Sequence, residues 1–279
     1  MDQLHRASTE VTAIVPEVWS AKSFDVNVAK LPWLESVDQS WSGELASFGD
    51  TVNIYTVPEF DEAVNLAEGA AGNADAVTVT SQALVVNQRP YKDAIVTSKA
   101  QLQSISFMDN LRDKMIYAIN KKIQAIIIAA TIPSTSSPDH QIGYDAGTTL
   151  ALADILEAKE LLDLQDVAED GRIGIMGAMQ INDLFLITGF MSRDFIPAGS
   201  PITSGKIQTP ICGFMPKVTT VVGNTSRWFH PSYLSMIIQQ SLNITVSSLA
   251  PLGIRGDRVN IDVLMGIKQL DDERVVSIS

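Results

Sequence analysis

The chain has one cysteine, Cys212, in 279 residues, which excludes an intrachain disulfide framework and fits a reducing compartment. It has three histidines, His5, His140 and His230, and none has a second ligand at i+3 or i+4 or in a metal-binding run. No run of apolar residues is long enough to cross a bilayer: the longest, IQAIIIAATI, is about half the length a span requires. The N-terminal stretch lacks a basic region followed by an apolar run, so no secretory signal pattern is expected. Basic residues are also few, 20 against 32 acidic, and a net charge of −12 argues against tight polyanion binding through a basic groove.

Charged residues total only 19%, against 46% hydrophobic. Less of the surface than usual can be covered by charge, which leans toward an oligomer with large contacts.

Catalytic signatures are missing too. Asp139-His140 has no nucleophile elbow to serve and reads as a polar loop pair. GIMGAM, residues 174–179, follows a β-type run and precedes a helical one, the place for a phosphate loop. It lacks both the G-x-G-x-x-G spacing and a Gly-Lys-Ser/Thr ending, so its glycines read as packing glycines. Asp163, Asp166, Glu169 and Asp170 are not at calcium-loop spacing and read as a solvated helix end stopped by Gly171. Cys212, in an apolar turn-like stretch, reads as a small buried residue. No catalytic residue, cofactor or metal site is expected.

What is present is a sequence of elements. Residues 1–40 read as an arm with aromatic anchors, including a short helix from Glu17 to about Val28. Residues 41–98 read as a long hairpin: in TVNIYT, Val52 and Ile54 alternate with Asn53 and Tyr55, and the run from Gln82 to Val96 is the partner strand. The hairpin segment carries eight acidic side chains against Arg89 and Lys92 alone. A two-stranded hairpin is marginal by itself, so it is expected to be held from outside. The candidate contact residues are Trp19, Trp33, Trp41, Val52, Ile54, Tyr55, Arg89, Tyr91 and Lys92.

From Phe107 to Thr131, Leu111, Met115, Ile119, Ile123 and Ile127 recur every fourth residue, which predicts one long amphipathic helix with this stripe in the core. A second helix is expected over 150–165, with Leu152, Ile155, Leu156, Leu161 and Leu162 inward. Then come a strand at RIGIM, a short helix near QINDLFLIT, and a flexible stretch at SRDFIPAGSPITSGK. Strands are expected at 216–222, 232–240, 243–248 and 258–268, with ERVVSIS closing the chain. The class is α+β.

In this order, and in the phrases VPEVWSAK, SGELASFGDTVNI, SGKIQTPICGFMPKVTTVVG and GDRVNIDVLMGIKQLDDERVVSI, the chain resembles the major capsid proteins of tailed bacteriophages, with the Hong Kong 97-like fold. The resemblance implies an N-terminal arm (1–40), an extended β-hairpin loop (41–98) lying over a neighbouring subunit, a peripheral domain (99–146 and 244–279) with the long spine helix, and an axial domain (147–243). It also implies self-assembly into pentamers and hexamers of an icosahedral virion shell enclosing double-stranded DNA, built in the host cytoplasm. A separate scaffolding protein, or a chain trimmed beforehand, and a portal are the implied partners, DNA is met only by weak non-specific contact, and no membrane is involved. An encapsulin-like compartment is the alternative within the same fold. A soluble α+β enzyme is the alternative outside it.

Overall fold

The computed structural model describes residues 32–43, 49–57, 77–98, 107–144, 149–187, 210–220, 222–223, 225–250 and 255–279, with isolated positions between 63 and 72. The helix expected at Glu17–Val28, Trp19 and the stretch SRDFIPAGSPITSGK lie outside these residues.

Helix α1 spans Phe107–Ala130, about 36 Å at 1.5 Å per residue. Met115, Ile119, Ile123 and Ile127 are buried, while Leu111, one turn earlier, is only half-buried. Near its end the helix is fixed by polar contacts: Gln124 Nε2 donates to Thr219 Oγ1 at 2.6 Å, and the Thr131 and Tyr233 hydroxyls are 2.9 Å apart. Replacing Ile119, 2% exposed, by valine removes one methylene from a closed site and is expected to cost about 0.5–1.5 kcal/mol in urea denaturation. No change in midpoint would place that face in solvent.

The first sheet contains β1 (Thr51–Thr56), β2 (Thr80–Gln88), β3 (Tyr91–Thr97), β8 (Leu234–Ser248) and β9 (Gly256–Gln269). Its order is β1-β2-β9-β3, with β8 also on β9. The run from Gln82 to Val96 is therefore two strands, not one. Pro90, which has no N–H to give a ladder, falls at the break, and its carbonyl accepts from Val263 N at 3.1 Å. The two segments expected at 232–240 and 243–248 are one continuous strand, β8.

The second sheet has the order β4-β10-β7-β5-β6. Its strands are β4 (Gln141–Ile142), β5 (Ile173–Gly177), β6 (Met215–Thr219), β7 (Ser226–Phe229) and β10 (Val275–Ile278). Strand β7 was not anticipated. The closing strand β10 pairs in parallel with β4 and antiparallel with β7.

Helices α2 (Leu152–Leu164) and α3 (Ala178–Leu186) supply the core of this second sheet, in which Ile155, Leu161, Leu162 and Leu184 pack with Phe214, Trp228 and Val276. Ala158 faces inward and Leu156, 49% exposed, faces out, reversing the expected place of Leu156. Asp154, fully buried, accepts the Ala151 N–H at 2.8 Å and so satisfies an orphan donor at the start of α2.

By contacts the chain divides into two units. One holds Tyr91–Ile119 and Ile244–Ile261; the other holds the hairpin up to Pro90, Asn120–Asn243 and Asp262–Ser279.

Candidate subunit interface

The antiparallel register of β1 and β2 sets Val52 opposite Leu84 and Ile54 opposite Gln82. One face of the pair is thus Val52, Ile54, Gln82, Leu84 and Val86, and the other is Asn53, Tyr55, Ala83 and Val85. The inner face packs on its own chain: Val52, Ile54 and Leu84 form a cluster with Ile237, against which Trp41, Val86 and Leu270 are half-buried. Gln82 Nε2 donates to the Leu270 carbonyl at 2.8 Å, and Gln239 Nε2 to the Gly49 carbonyl at 2.9 Å.

Three of the candidate contact residues are buried within their own chain. Val52 and Ile54 lie in the chain's own core because the base of the hairpin is part of a five-stranded sheet rather than a free two-stranded ribbon. Trp33 is also fully buried, with its ring stacked 5.4 Å from that of Phe229. Trp41 seals the edge of the hairpin cluster. Trp19 is outside the described residues.

Arg89, though its side chain is 67% exposed, already has a partner within the chain. Its Nε donates to Asp262 Oδ2 at 2.8 Å and its Nη2 to the same oxygen at 2.5 Å. The Asp262 side chain is 4% exposed, and pairing with Arg89 offsets the cost of holding a carboxylate so far from water. On β3, Asp93 accepts from Arg258 and from Asn260 Nδ2, so that strand too is bound to β9 by charge.

What remains free is the outer surface. Tyr55 is 70% exposed and Tyr91 68%, and Lys92 is exposed. Val57, Val79 and Val85 on the hairpin, Ile95 on β3, and Leu242, Ile244 and Val246 on β8 join them as exposed apolar residues. Sequence reasoning missed the β8 group, although its alternation was visible: such a pattern predicts one buried face, and here residues 241–248 are exposed throughout.

The motifs set aside as non-catalytic have structural work. A Cβ on Gly174 would stand 2.4 Å from the Trp228 ring, and one on Gly177 would stand 1.8 Å from the Gly223 carbonyl oxygen. These glycines allow close packing. Asp163 is held by Lys159 at 2.5 Å and by the buried Arg172 at 2.6 Å, and despite some desolvation these cations keep its carboxyl below the ordinary value. The helix stops at Leu164, before Gly171, with Asp166 at φ 51° in the turn that follows. Cys212 is half-buried at the edge of the second core, and burial pushes its thiol up. His140 is not a loop residue facing water: it is buried, with Nδ1 donating to the Val275 carbonyl at 3.2 Å. Among the described residues no group of three metal-ligating side chains converges, and no helix is long and apolar enough to cross a membrane.

His230 provides a pH test of this packing. Its Nδ1 accepts the Ser232 N–H, and burial, then Arg274, hold the imidazole below its ordinary value of 6.5. The unfolded chain therefore binds more protons between that depressed value and 6.5, so His230's contribution is complete above pH 6.5 and declines as pH falls below it. His230→Asn is expected to flatten the fall in urea midpoint between pH 7.5 and about pH 5.5. An equal fall in both proteins would refute this.

No family model matches the sequence, and no curated protein does. Solved structures match over nearly its whole length, and they show the fold to be one found in bacteriophage capsids. One is a structure from Mycobacterium phage Che8, with TM-score 0.75 and 18% identity, covering 95% of this chain and 97% of that one. Another is the capsid of cyanophage P-SCSP1u, with TM-score 0.74 and 11% identity over 96% of this chain and 93% of that one. The capsid of cyanophage Pam1 has TM-score 0.73 and 14% identity, with 96% of each chain covered.

Proposed function

We propose that the chain is a major capsid protein, whose copies assemble into the pentamers and hexamers of an icosahedral virion shell around double-stranded DNA. The observation that carries this is the mutual coverage: 96% of this chain matches 96% of the Pam1 capsid chain, so the likeness extends over the architecture as a whole. The work of such a subunit is mechanical, and it needs surfaces rather than a catalytic residue or cofactor.

The geometry suits that work. A heterologous contact repeated by rotation closes into a ring, and the exposed faces carrying Tyr55 and Val85, Tyr91 and Ile95, and Leu242 to Val246 offer apolar area for it. In this reading the hairpin beyond Thr56, acidic and glycine-broken, lies over a neighbouring subunit, while its base is anchored at home. A net charge of −12 keeps DNA contacts weak, so packaged DNA can slide and leave. A scaffolding protein and a portal would complete the assembly in the host cytoplasm.

Electron microscopy of the purified protein, with size-exclusion chromatography beside it, tests the reading. Closed shells eluting in the megadalton range, or capsomer rings at five or six times the 30.2 kDa subunit mass, are the expected result. Particles of hundreds of kilodaltons without rings would overturn it, and shells holding a cargo enzyme in place of DNA would move the chain to the encapsulin-like alternative.

A further inference from the structure

Arg227 sits in the middle of β7, between Ile175 of β5 and Ser277 of β10. Ile175 is also the register partner of Lys217 on β6, so Lys217 and Arg227 flank one buried isoleucine on the same sheet face, about 10 Å apart at two strand spacings. Four other arginines have carboxylates: Arg89 with Asp262, Arg172 with Asp163, Arg258 with Asp93 and Arg274 with Asp271. Arg227 has none among the described residues. Its Nη1 donates to the Ser226 carbonyl at 3.1 Å, and its Nε is buried with no acceptor. Lys217 gives its ammonium to Ser36 Oγ at 2.7 Å, with exposed Glu35 as its nearby charge.

Burial pulls Arg227 below the ordinary arginine value, with only Tyr233 opposing, yet a guanidinium stays charged at neutral pH. A half-desolvated cation without an anion is a net cost to an isolated subunit. We propose that Arg227, with Lys217 beside it, receives a carboxylate side chain from a second copy of the chain. Charge complementarity favours that donor, because every copy brings 32 acidic residues against 20 basic ones. The inference rests on the capsid reading and adds to it a specific intersubunit contact.

The test compares the full-length wild type with Arg227→Gln and Arg227→Lys, measuring subunit melting and the concentration at which assembly begins. Arg227→Gln subunits are expected to melt no lower than the wild type, while assembly needs roughly thirtyfold more protein or stronger. Arg227→Lys should restore part of that loss, and added salt should weaken wild-type assembly more than that of Arg227→Gln. Assembly at the wild-type concentration overturns the proposal. So does a lowered melting temperature, which would give Arg227 a role inside its own chain, or unchanged assembly with lost DNA retention, which would make the group a phosphate site. If the wild type forms small oligomers but no shells, the capsid reading fails, and the same concentration comparison on those oligomers still decides for or against Arg227.

Discussion

Gly177→Ala is expected to destabilise the second sheet by about 3 kcal/mol or more, at or above the upper end of overpacking penalties. The reason is space, not backbone conformation. Gly177 has φ −70° and ψ 159°, which any residue adopts, but an added Cβ would stand 1.8 Å from the carbonyl oxygen of Gly223. That obstacle is backbone and cannot rotate away as a side chain would. Gly177 also joins β5 to α3, where its N–H donates to Gln180 Oε1 at 3.0 Å, so a shift there disturbs both elements. Gly143→Ala is the control: nothing lies within 4 Å of its added methyl, and the change should stay within about 0.5 kcal/mol. Urea midpoints of the two variants decide the matter, and equal midpoints would remove the packing explanation of the GIMGAM glycines.

Leu84→Ala is expected to cost the isolated subunit about 2–5 kcal/mol, the range for emptying a closed core site. Leu84 is fully buried and shares its cluster with Val52, Ile54 and Ile237, three residues that reach it from two other strands. For the same reason the ladder amides between β1 and β2 should exchange slowly in a subunit that has no neighbours. Tyr55→Ala and Tyr91→Ala, on exposed positions, should leave subunit stability within about 0.5 kcal/mol while weakening assembly. Fast exchange in the free subunit would show that the base of the hairpin depends on a partner. Loss of subunit stability in the tyrosine variants would make those faces part of the subunit's own core.

Local periodicity explains which elements were legible. A fourfold spacing such as Met115, Ile119, Ile123 and Ile127 puts four large apolar groups on one side of any α-helix, and that geometry is a property of the backbone alone. The same holds for the two faces of TVNIYT, whose alternation the burial of Val52 and Ile54 and the exposure of Tyr55 reproduce. Helices α2 and α3 and strand β5 were also readable, because each is a short local pattern ended by polar residues or glycine.

Pairing between distant segments was not readable. Strand β7 is four residues with an arginine inside, too short to announce itself, and it is a strand because β5 and β10 flank it from 50 or so residues away on each side. The hairpin looked unsupported because its own sequence holds too few large apolar groups for a core, but the missing half of that core is Ile237 and Leu270, supplied from far along the chain. In sequence the nearest downstream acid to Arg89 is Asp93, four residues on, and Arg227 has none close by, so neither partner could be read from spacing. Only the fold separates them, bringing Asp262 to the first and, among the described residues, no carboxylate to the second. The sequence by itself determined the helices, the α+β class and the absence of catalytic signatures, because these follow from covalent periodicity and composition. Which faces are sealed inside the subunit and which are left for a neighbour was decided by the tertiary structure, because burial is a relation between segments that no single segment contains.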